Sequence, residues 1–570
     1  MDCPTISDGS LPGVSTEPYH LVPYIPPPPS PLPPFASDEA EMIDDSQDGQ
    51  SPECRYLNNI LSGLGDHLCR HYQPGELASY IQTIREDLKV AIPDRQHRSS
   101  VCLALIIWYK LSRTHPKHGY ISREACYAPL WEIPDIIQAE ELGKQFEDIQ
   151  GIRWDLLEQT KSNARVIRRM LYQTSPPRKE LPVDDSQLPK PKRVSGDRFF
   201  KFHLTNTRHK PVVEHFQLRN VIATTSRADI FYASGSKVMR TDLLNTEPDC
   251  VMDLSKATFG HRKATRCVTT LAAQDGVLVT GGLHGDYAMI NVGAARGTEP
   301  STGILSEANN AITNHVHLYN DRRSNTPRAL FASNDKSLRA LDCLTNKIVS
   351  QQIFKKVINC TATSPDGRLR LVVGDFASAY ITDADTGRDI VRIPTHKADA
   401  FACAWSDDSI HVTWAAQNNR IYVADARTWK PLAAMATQLD CARSLRFSPL
   451  GAAARPVLVA AEAADFVHVF DVRDFAARQT VDFFGNVAGT AFSADGHELL
   501  VANSDAKFGG IMSFRRAEHG NAMDDWNDGY AGRAADYQEG FWLRKQVKDG
   551  LAGSEWTRRA WDGLGDGMIL

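Results

Sequence analysis

The 570-residue chain lacks the signatures of the common catalytic and nucleotide-binding folds. It has no G-x-x-x-x-G-K-S/T phosphate loop, no G-x-G-x-x-G opening a helix after a strand, no G-x-S-x-G elbow and no H-E-x-x-H. Paired carboxylates such as Asp407-Asp408 fall in turns, where aspartate serves backbone geometry. The 11 cysteines are odd in number and scattered, with no C-x-x-C pair. That argues against a disulfide framework and a zinc site, and for a reducing compartment. The histidines His67, His71, His115 and His118 lack the carboxylate or thiolate partners of a metal centre. Neither sign of charge dominates: 64 Lys and Arg stand against 69 Asp and Glu, a net of −5, so nothing draws the whole chain to nucleic acid or anionic lipid. The most apolar run, Val101–Tyr109, is about half of what a membrane helix needs. The start Met1-Asp2-Cys3-Pro4 lacks the basic-then-apolar layout of a signal peptide. These absences predict a soluble protein of the cytoplasm or nucleus, off the membrane, with no cofactor, no metal and no catalytic site.

What the chain does have is a repeat. Ser364-Pro365-Asp366-Gly367 recurs as Ser406-Asp407-Asp408-Ser409, Ser448-Pro449-Leu450-Gly451 and Ser493-Ala494-Asp495-Gly496, at spacings of 42, 42 and 45 residues. A short apolar strand precedes each turn (Ile358–Ala362, Ala400–Trp405, Ser444–Phe447, Ala488–Phe492) and another follows it (Leu369–Gly374, Ile410–Ala415, Val457–Ala461, Leu499–Ala502). In the first three units a third strand ends at an aspartate: Asp383, Asp425 and Asp471. A period in the low forties with several short strands is that of a four-stranded propeller blade of the WD40 type.

Three degenerate units precede these. Asn220–Leu244 shows two strands with a turn at Gly235, and Cys267–Val292 shows two around Asp275-Gly276 and Gly281-Gly282. His315–Phe354 reads as a helical or long-loop insertion around Arg322–Asn325, then Ala329–Ser333 and Leu338–Asp342. Seven units at about 45 residues each fit a ring, and Phe199–Leu204 is placed to supply the outer strand of the last blade and close it. The expected fold is therefore mainly β: a seven-bladed WD40-type β-propeller with an N-terminal α-helical segment and a disordered Pro-rich arm. The usual Trp-Asp pair is replaced by Leu341-Asp342, Thr382-Asp383, Ala424-Asp425 and Phe470-Asp471, and His396 is the one counterpart of the usual blade histidine. Irregular blades are expected, not a different fold.

Residues 1–52 read as a disordered Pro-rich and acidic arm, a spacer or an SH3/WW docking segment. Residues 53–134 read as a helical segment, from apolar positions such as Leu57, Ile60, Leu61 and Leu64. Residues 135–197 read as amphipathic helices and a linker. They carry a basic tract, Lys161–Arg169, that forms a solvated helix face or meets nucleic acid or an acidic partner, and a second cluster, Lys190-Pro191-Lys192-Arg193. The propeller spans 198–517. The aromatic-rich tail, 518–570, packs on the propeller or anchors in a partner's groove.

Four stretches carry a family resemblance. They are Ala139–Gly143 running through Asp148–Trp154; His215–Asn220 with Ala223–Ser226; Arg443–Phe447 leading into Ala461–Asp471; and Phe484-Gly485 with Gly489–Ser493. Together they cover about residues 135–517 and resemble a WD40-like transducin group of WD-repeat proteins found in fungi and plants. The resemblance implies a propeller scaffold, not a catalyst. A fungal relative resembles a substrate receptor of a multisubunit ubiquitin ligase of the glucose-induced degradation type, and plant relatives imply a nuclear-cytoplasmic setting.

From the residues themselves, the best surface candidate is the Glu462–Asp465 run. Glu462 and Asp465 stand with the aromatic Phe466, beside Arg443 and Arg446 of the same blade. Carboxylates at a propeller mouth would hold an amine or a Lys/Arg side chain. The alternative is an intrablade Arg–Asp network that keeps strands in register. The expected function is a non-catalytic interaction scaffold or adaptor. Its partners would be proteins or peptides held by propeller loops and the aromatic tail, including ubiquitin ligase subunits. The alternative is a nuclear WD40 protein associated with chromatin or RNA through the basic tracts.

Overall fold

The computed structural model describes residues 132–142, 148–154, 161, 164–165, 199–215, 217–255, 267–393, 398–451 and 455–517. The arm, residues 53–131 of the 53–134 helical segment, Lys190–Arg193, His396 and the aromatic tail lie outside the described residues.

Two strands come first, β1 (Ile136–Gln138) and β2 (Phe200–Asn206). Five four-stranded antiparallel sheets follow in chain order. The first holds β3 (Ile222–Thr224), β4 (Ile230–Ser234), β5 (Lys237–Thr241) and β6 (Asp249–Asp253). The second holds β7 (Val268–Gln274), β8 (Val277–Gly282), β9 (Asp286–Asn291) and β10 (Ser301–Ile304). The third holds β11 (Thr313–Asn320), β12 (Pro327–Ser333), β13 (Ser337–Asp342) and β14 (Lys347–Ile353). The fourth holds β15 (Ile358–Thr363), β16 (Leu369–Gly374), β17 (Ala379–Asp383) and β18 (Asp389–Ile393). The fifth holds β19 (Ala400–Trp405), β20 (His411–Ala416), β21 (Arg420–Asp425) and β22 (Pro431–Ala436).

The rest forms one eight-stranded sheet from β23 (Ala442–Phe447), β24 (Val457–Glu462), β25 (Ala464–Asp471), β26 (Arg478–Phe492), β27 (Glu498–Asn503), β28 (Gly510–Arg516), β2 and β1. Strand β26 is long enough to serve twice: Arg478–Asp482 pair with β25, and Val487–Phe492 pair with β27. β2 pairs antiparallel with β28, from Phe200 opposite Arg516 to Asn206 opposite Ile511. The first strands neighbour one another in the order β3, β7, β11, β15, β19, β23, and β26 neighbours both β23 and β3.

Apolar side chains gather between neighbouring sheets, because both faces of a central strand are covered. One cluster joins Leu371, Val373 and Ile381 to Trp405 and Trp414, and the next joins Ala415 and Ile421 to Leu458 and Phe470. Burial of this kind contributes roughly 25 cal/mol per Å² of apolar surface.

The repeated serines have a repeated task. Ser364 Oγ accepts the N–H of Leu369 at 2.9 Å and donates to Asp366, and Ser406 and Ser493 do the same with His411 and Asp408, and with Glu498 and Asp495. The aspartates at the ends of third strands cap the turn to the fourth. Asp342 accepts the N–H groups of Leu344 and Thr345, and Asp383 those of Asp385 and Thr386. The turn needs the carboxylate but not the tryptophan, whose place Leu341, Thr382, Ala424 and Phe470 take, all buried.

Three expectations are corrected. The helical reading of the segment from Ile136 fails at Ile136–Gln138, which is a strand paired with β2, Ile136 opposite Asn206. A partner edge there outweighs helical spacing. The insertion around Arg322–Asn325 is a tight turn in which Asp321 accepts the N–H of Ser324 at 3.0 Å and Asn325 takes a φ of 53°. The early units each hold four strands where two were legible; the outer strand β14 is exposed at six of its seven positions, so its apolar residues do not alternate with a buried face.

Candidate functional site

The residues proposed from sequence separate into two places. Glu462, Asp465 and Phe466 are buried at 0%, 0% and 2% exposure, which corrects their expected position on the surface. Glu462 accepts the N–H groups of Gln438, Leu439 and Asp440 at 2.5, 2.7 and 2.8 Å. It also meets His468 Nε2 at 2.6 Å. Arg478, which can only donate, lies 2.7 Å from His468 Nδ1 and 3.1 Å from Nε2. Burial pushes the Glu462 carboxyl up to about 8, and the three backbone donors oppose the rise.

Asp465 sits at the β24–β25 turn with φ 70°, a conformation aspartate tolerates. Its carboxylate accepts the N–H of Gly485 at 2.9 Å and the guanidinium of Arg165 at 2.5 Å. Arg165 belongs to the basic tract, where a solvated face was expected, yet it is 7% exposed. It also bonds Asp482 and the Phe483 carbonyl, and lies over the rings of Phe484 and Phe466. Lys161 donates to the Asp482 carbonyl at 2.7 Å. Gln150 adds bonds to Phe484 and Phe508, and Trp154, tied to Asp148, packs on Phe484. Gln150, Trp154, Lys161 and Arg165 thus bind to β25–β26 and the Phe508 carbonyl, largely through buried groups. Two of the cations offered for nucleic acid are engaged in these contacts.

Arg443 and Arg446 belong elsewhere. They line a cavity of about 360 Å³ walled by β11, β15, β19, β23 and the segment Gln217–Asn220. Three arginines (219, 443, 446) and two histidines (315, 317) face it against a single acid, Asp407. This reverses the charge expected of the site. Arg446 donates to Asn220 Oδ1 at 2.6 Å, and Arg443 lies flat over Phe401, 3.7 Å from the ring centre. Neither has an ion-pair partner among the described residues.

A repeated backbone irregularity places these side chains. Strands β7, β11, β15, β19, β23 and β26 each carry a bulge at the same point, leaving Thr269, Asn314, Asn359, Phe401, Arg443 and Ala488 outside the ladder. In three units the bulged side chain ties to the next first strand: Thr269 to the Thr313 carbonyl, Asn314 to that of Ile358, Asn359 to that of Ala400. Phe401 cannot make that bond, and Arg443 stacks upon it instead. Sequence reasoning missed Phe401 and the histidines. The signal was available: the position five before each turn serine reads Asn359, Phe401, Arg443, Ala488.

His317 accepts the Thr363 N–H at 3.1 Å, and burial, then His315, Arg446 and Arg370, push its imidazole down to about 3. The folded state refuses a proton that the unfolded chain takes up below its ordinary 6.5. Stability from this group is therefore full above that value and falls as pH drops toward about 3. Between about pH 7.5 and about pH 5 the loss amounts to up to about 2 kcal/mol. His317→Gln, which keeps an acceptor, is expected to remove that part of the acid sensitivity in melts of the full chain at both pH values. An unchanged pH slope would refute the assignment.

Among the described residues no group of three or more His, Cys, Asp or Glu is placed to hold a metal ion, and no helix is long and apolar enough to cross a membrane. No family model matches the chain, and no curated protein matches it. Among solved structures, a chain of the crystal structure of the mitotic checkpoint complex is 17% identical with a TM-score of 0.45, the match covering 58% of this chain and 96% of that one. The WD40 β-propeller domain of Doa1 is 12% identical with a TM-score of 0.43, covering 56% and 97%. The architecture stands on its own strand pairing: serial four-stranded antiparallel units whose first strands neighbour one another in chain order define a β-propeller protein.

Proposed function

We propose that the chain is a non-catalytic interaction scaffold, a seven-bladed WD40-type propeller closed by β2, working as a protein receptor in the cytoplasm or nucleus. The observation that carries this is the succession of first strands from β3 through β26 and back to β3, four of which, β11, β15, β19 and β23, wall a polar cavity. Dividing the eight-stranded sheet at β26 gives two further units, one of β23–β26 and one of β26–β28 with β2 as its fourth strand, and β1 adds a fifth beyond β2. Propellers present loops and a channel mouth suited to peptides, and closure removes exposed sheet edges. The resemblance of the 139–154, 215–226, 443–471 and 484–493 stretches supports the finer reading, a substrate receptor of a ubiquitin ligase.

The test is affinity purification of the full chain from its native cells, with mass spectrometry of what accompanies it. Ligase subunits together with a recurrent set of other proteins are expected. Nuclease-sensitive nucleoprotein without ligase would replace this reading with the chromatin- or RNA-associated one, and no accompanying protein at all would overturn the scaffold.

A further inference from the structure

The sixth unit breaks the repeat twice on its first strand, both times with arginine. Arg443 stands where the third and fourth units have Asn314 and Asn359, whose amides tie neighbouring units together. Arg446, two residues before the turn serine, stands where the others have Ala362, Ala404 and Ala491. Arg446 keeps one tie, donating to Asn220 Oδ1 at 2.6 Å, but Arg443 does not replace the bond of the amide. The amide tie is lost, and a long cation replaces a methyl group on the strand face that lines the cavity.

Arg443 is also poised. Phe401 supports its guanidinium from one side, and its Nε and Nη1 are buried with no hydrogen-bond partner. His315 Nδ1, on the same cavity, is buried without one as well. Buried donors left unmade are costly, and in native proteins they mark either strain or a missing partner. The contrast with Glu462, whose carboxylate meets donors on both oxygens, shows which charges in this fold are structural.

We infer that the axial cavity binds the carboxylate side chains of an acidic peptide, with Arg443 as the first anchor and Arg446 as the second. A planar guanidinium fixed on an aromatic ring offers a fork that matches a carboxylate in two bonds. The single acid, Asp407, leaves the lining positive. At about 360 Å³ the cavity is at the small end of ligand sites, which suits inserted side chains better than a large cofactor. The inference rests on the reading of the chain as a protein-binding propeller and supplies the chemistry of what it reads.

The test is fluorescence anisotropy on the full chain at low salt. The probes are a labelled decapeptide of alternating Asp and Glu and its Asn/Gln counterpart, with citrate and inorganic phosphate as competitors. The acidic peptide is expected to bind at least about tenfold more tightly than the neutral one and to weaken with salt. Arg443→Gln should cost about tenfold or more, Arg443→Lys less, and Arg446→Gln a comparable amount. Arg443→Gln should melt within about 2 °C of the parent, since two of its nitrogens make no hydrogen bond. No acidic preference, or a preference indifferent to Arg443→Gln, would overturn the inference. Binding of citrate or phosphate that depends on Arg443, without peptide binding, would overturn the peptide and leave a small-anion site. Unfolding of both Arg443→Gln and Arg443→Lys would make Arg443 a packing residue and overturn the site. If the acidic peptide fails while protein partners are still recovered from cells, the cavity inference falls and the scaffold stands.

Discussion

Replacing Arg165 by alanine is expected to destabilise the protein by about 3–5 kcal/mol, the usual cost of removing one partner from a buried ion pair. The change takes from Asp465, which has no solvent access, its bond to a guanidinium, and removes the cation between Asp465 and Asp482. Burial would raise the Asp482 carboxyl, and Arg165 and Lys161 hold it below its ordinary value instead. Without Arg165 that balance fails. The guanidinium also covers the rings of Phe484 and Phe466, so packing is lost with charge. Thermal melts of the full chain would show the loss, and hydrogen exchange would show early opening of residues 478–486. Adding Asp465→Asn to Arg165→Ala removes the stranded charge and should recover part of the stability, a coupling that a double-mutant cycle measures. A melting temperature and exchange pattern unchanged by Arg165→Ala would show that the 148–165 segment is not held as described.

Glu462→Ala is expected to cost at least about 3 kcal/mol, because it strands several buried donors at once. The N–H groups of Gln438, Leu439 and Asp440 lose their acceptor, and His468 Nε2 loses its contact. The loop before β23 then has no anchor on β24. Glu462→Gln should fall between, since its one carbonyl oxygen still accepts while its NH2 group faces donors. If Glu462→Ala melted like the parent while weakening a partner, the carboxylate would be a binding group after all.

Both variants concern residues whose chemistry was legible and whose location was not. Two carboxylates and an aromatic in the Glu462–Phe466 run suggested a surface for cations. The strand alternation around them gives no sign that β24 and β25 are covered on both faces. That cover comes from Arg165, Trp154 and Gln150, about 300 residues earlier in the chain, and its effect is to turn a surface motif into a buried tie. The helical reading of Ile136–Gln138 failed for a related reason: β2 offers it a strand edge, which periodicity cannot register.

The sequence by itself determined the repeated unit in the later half. The turn serines and strand-end aspartates bond to groups within a few residues, and local bonds are what a local pattern can encode. It also determined, through Phe199–Leu204, which early segment pairs with the last strand. Only the tertiary structure decided the sign of the site. Arg443 and Arg446 share a cavity with His315, His317 and Arg219 because strands distant in sequence, β11 through β23, lie side by side, and a bulge sets Arg443 outside its ladder. The carboxylates expected to oppose them are engaged elsewhere, Asp465 with Arg165 and Glu462 with the loop before β23 and His468. Within one strand a residue shift of one reverses the face a side chain meets, so charge written in sequence becomes charge at a site only when register and neighbours are fixed.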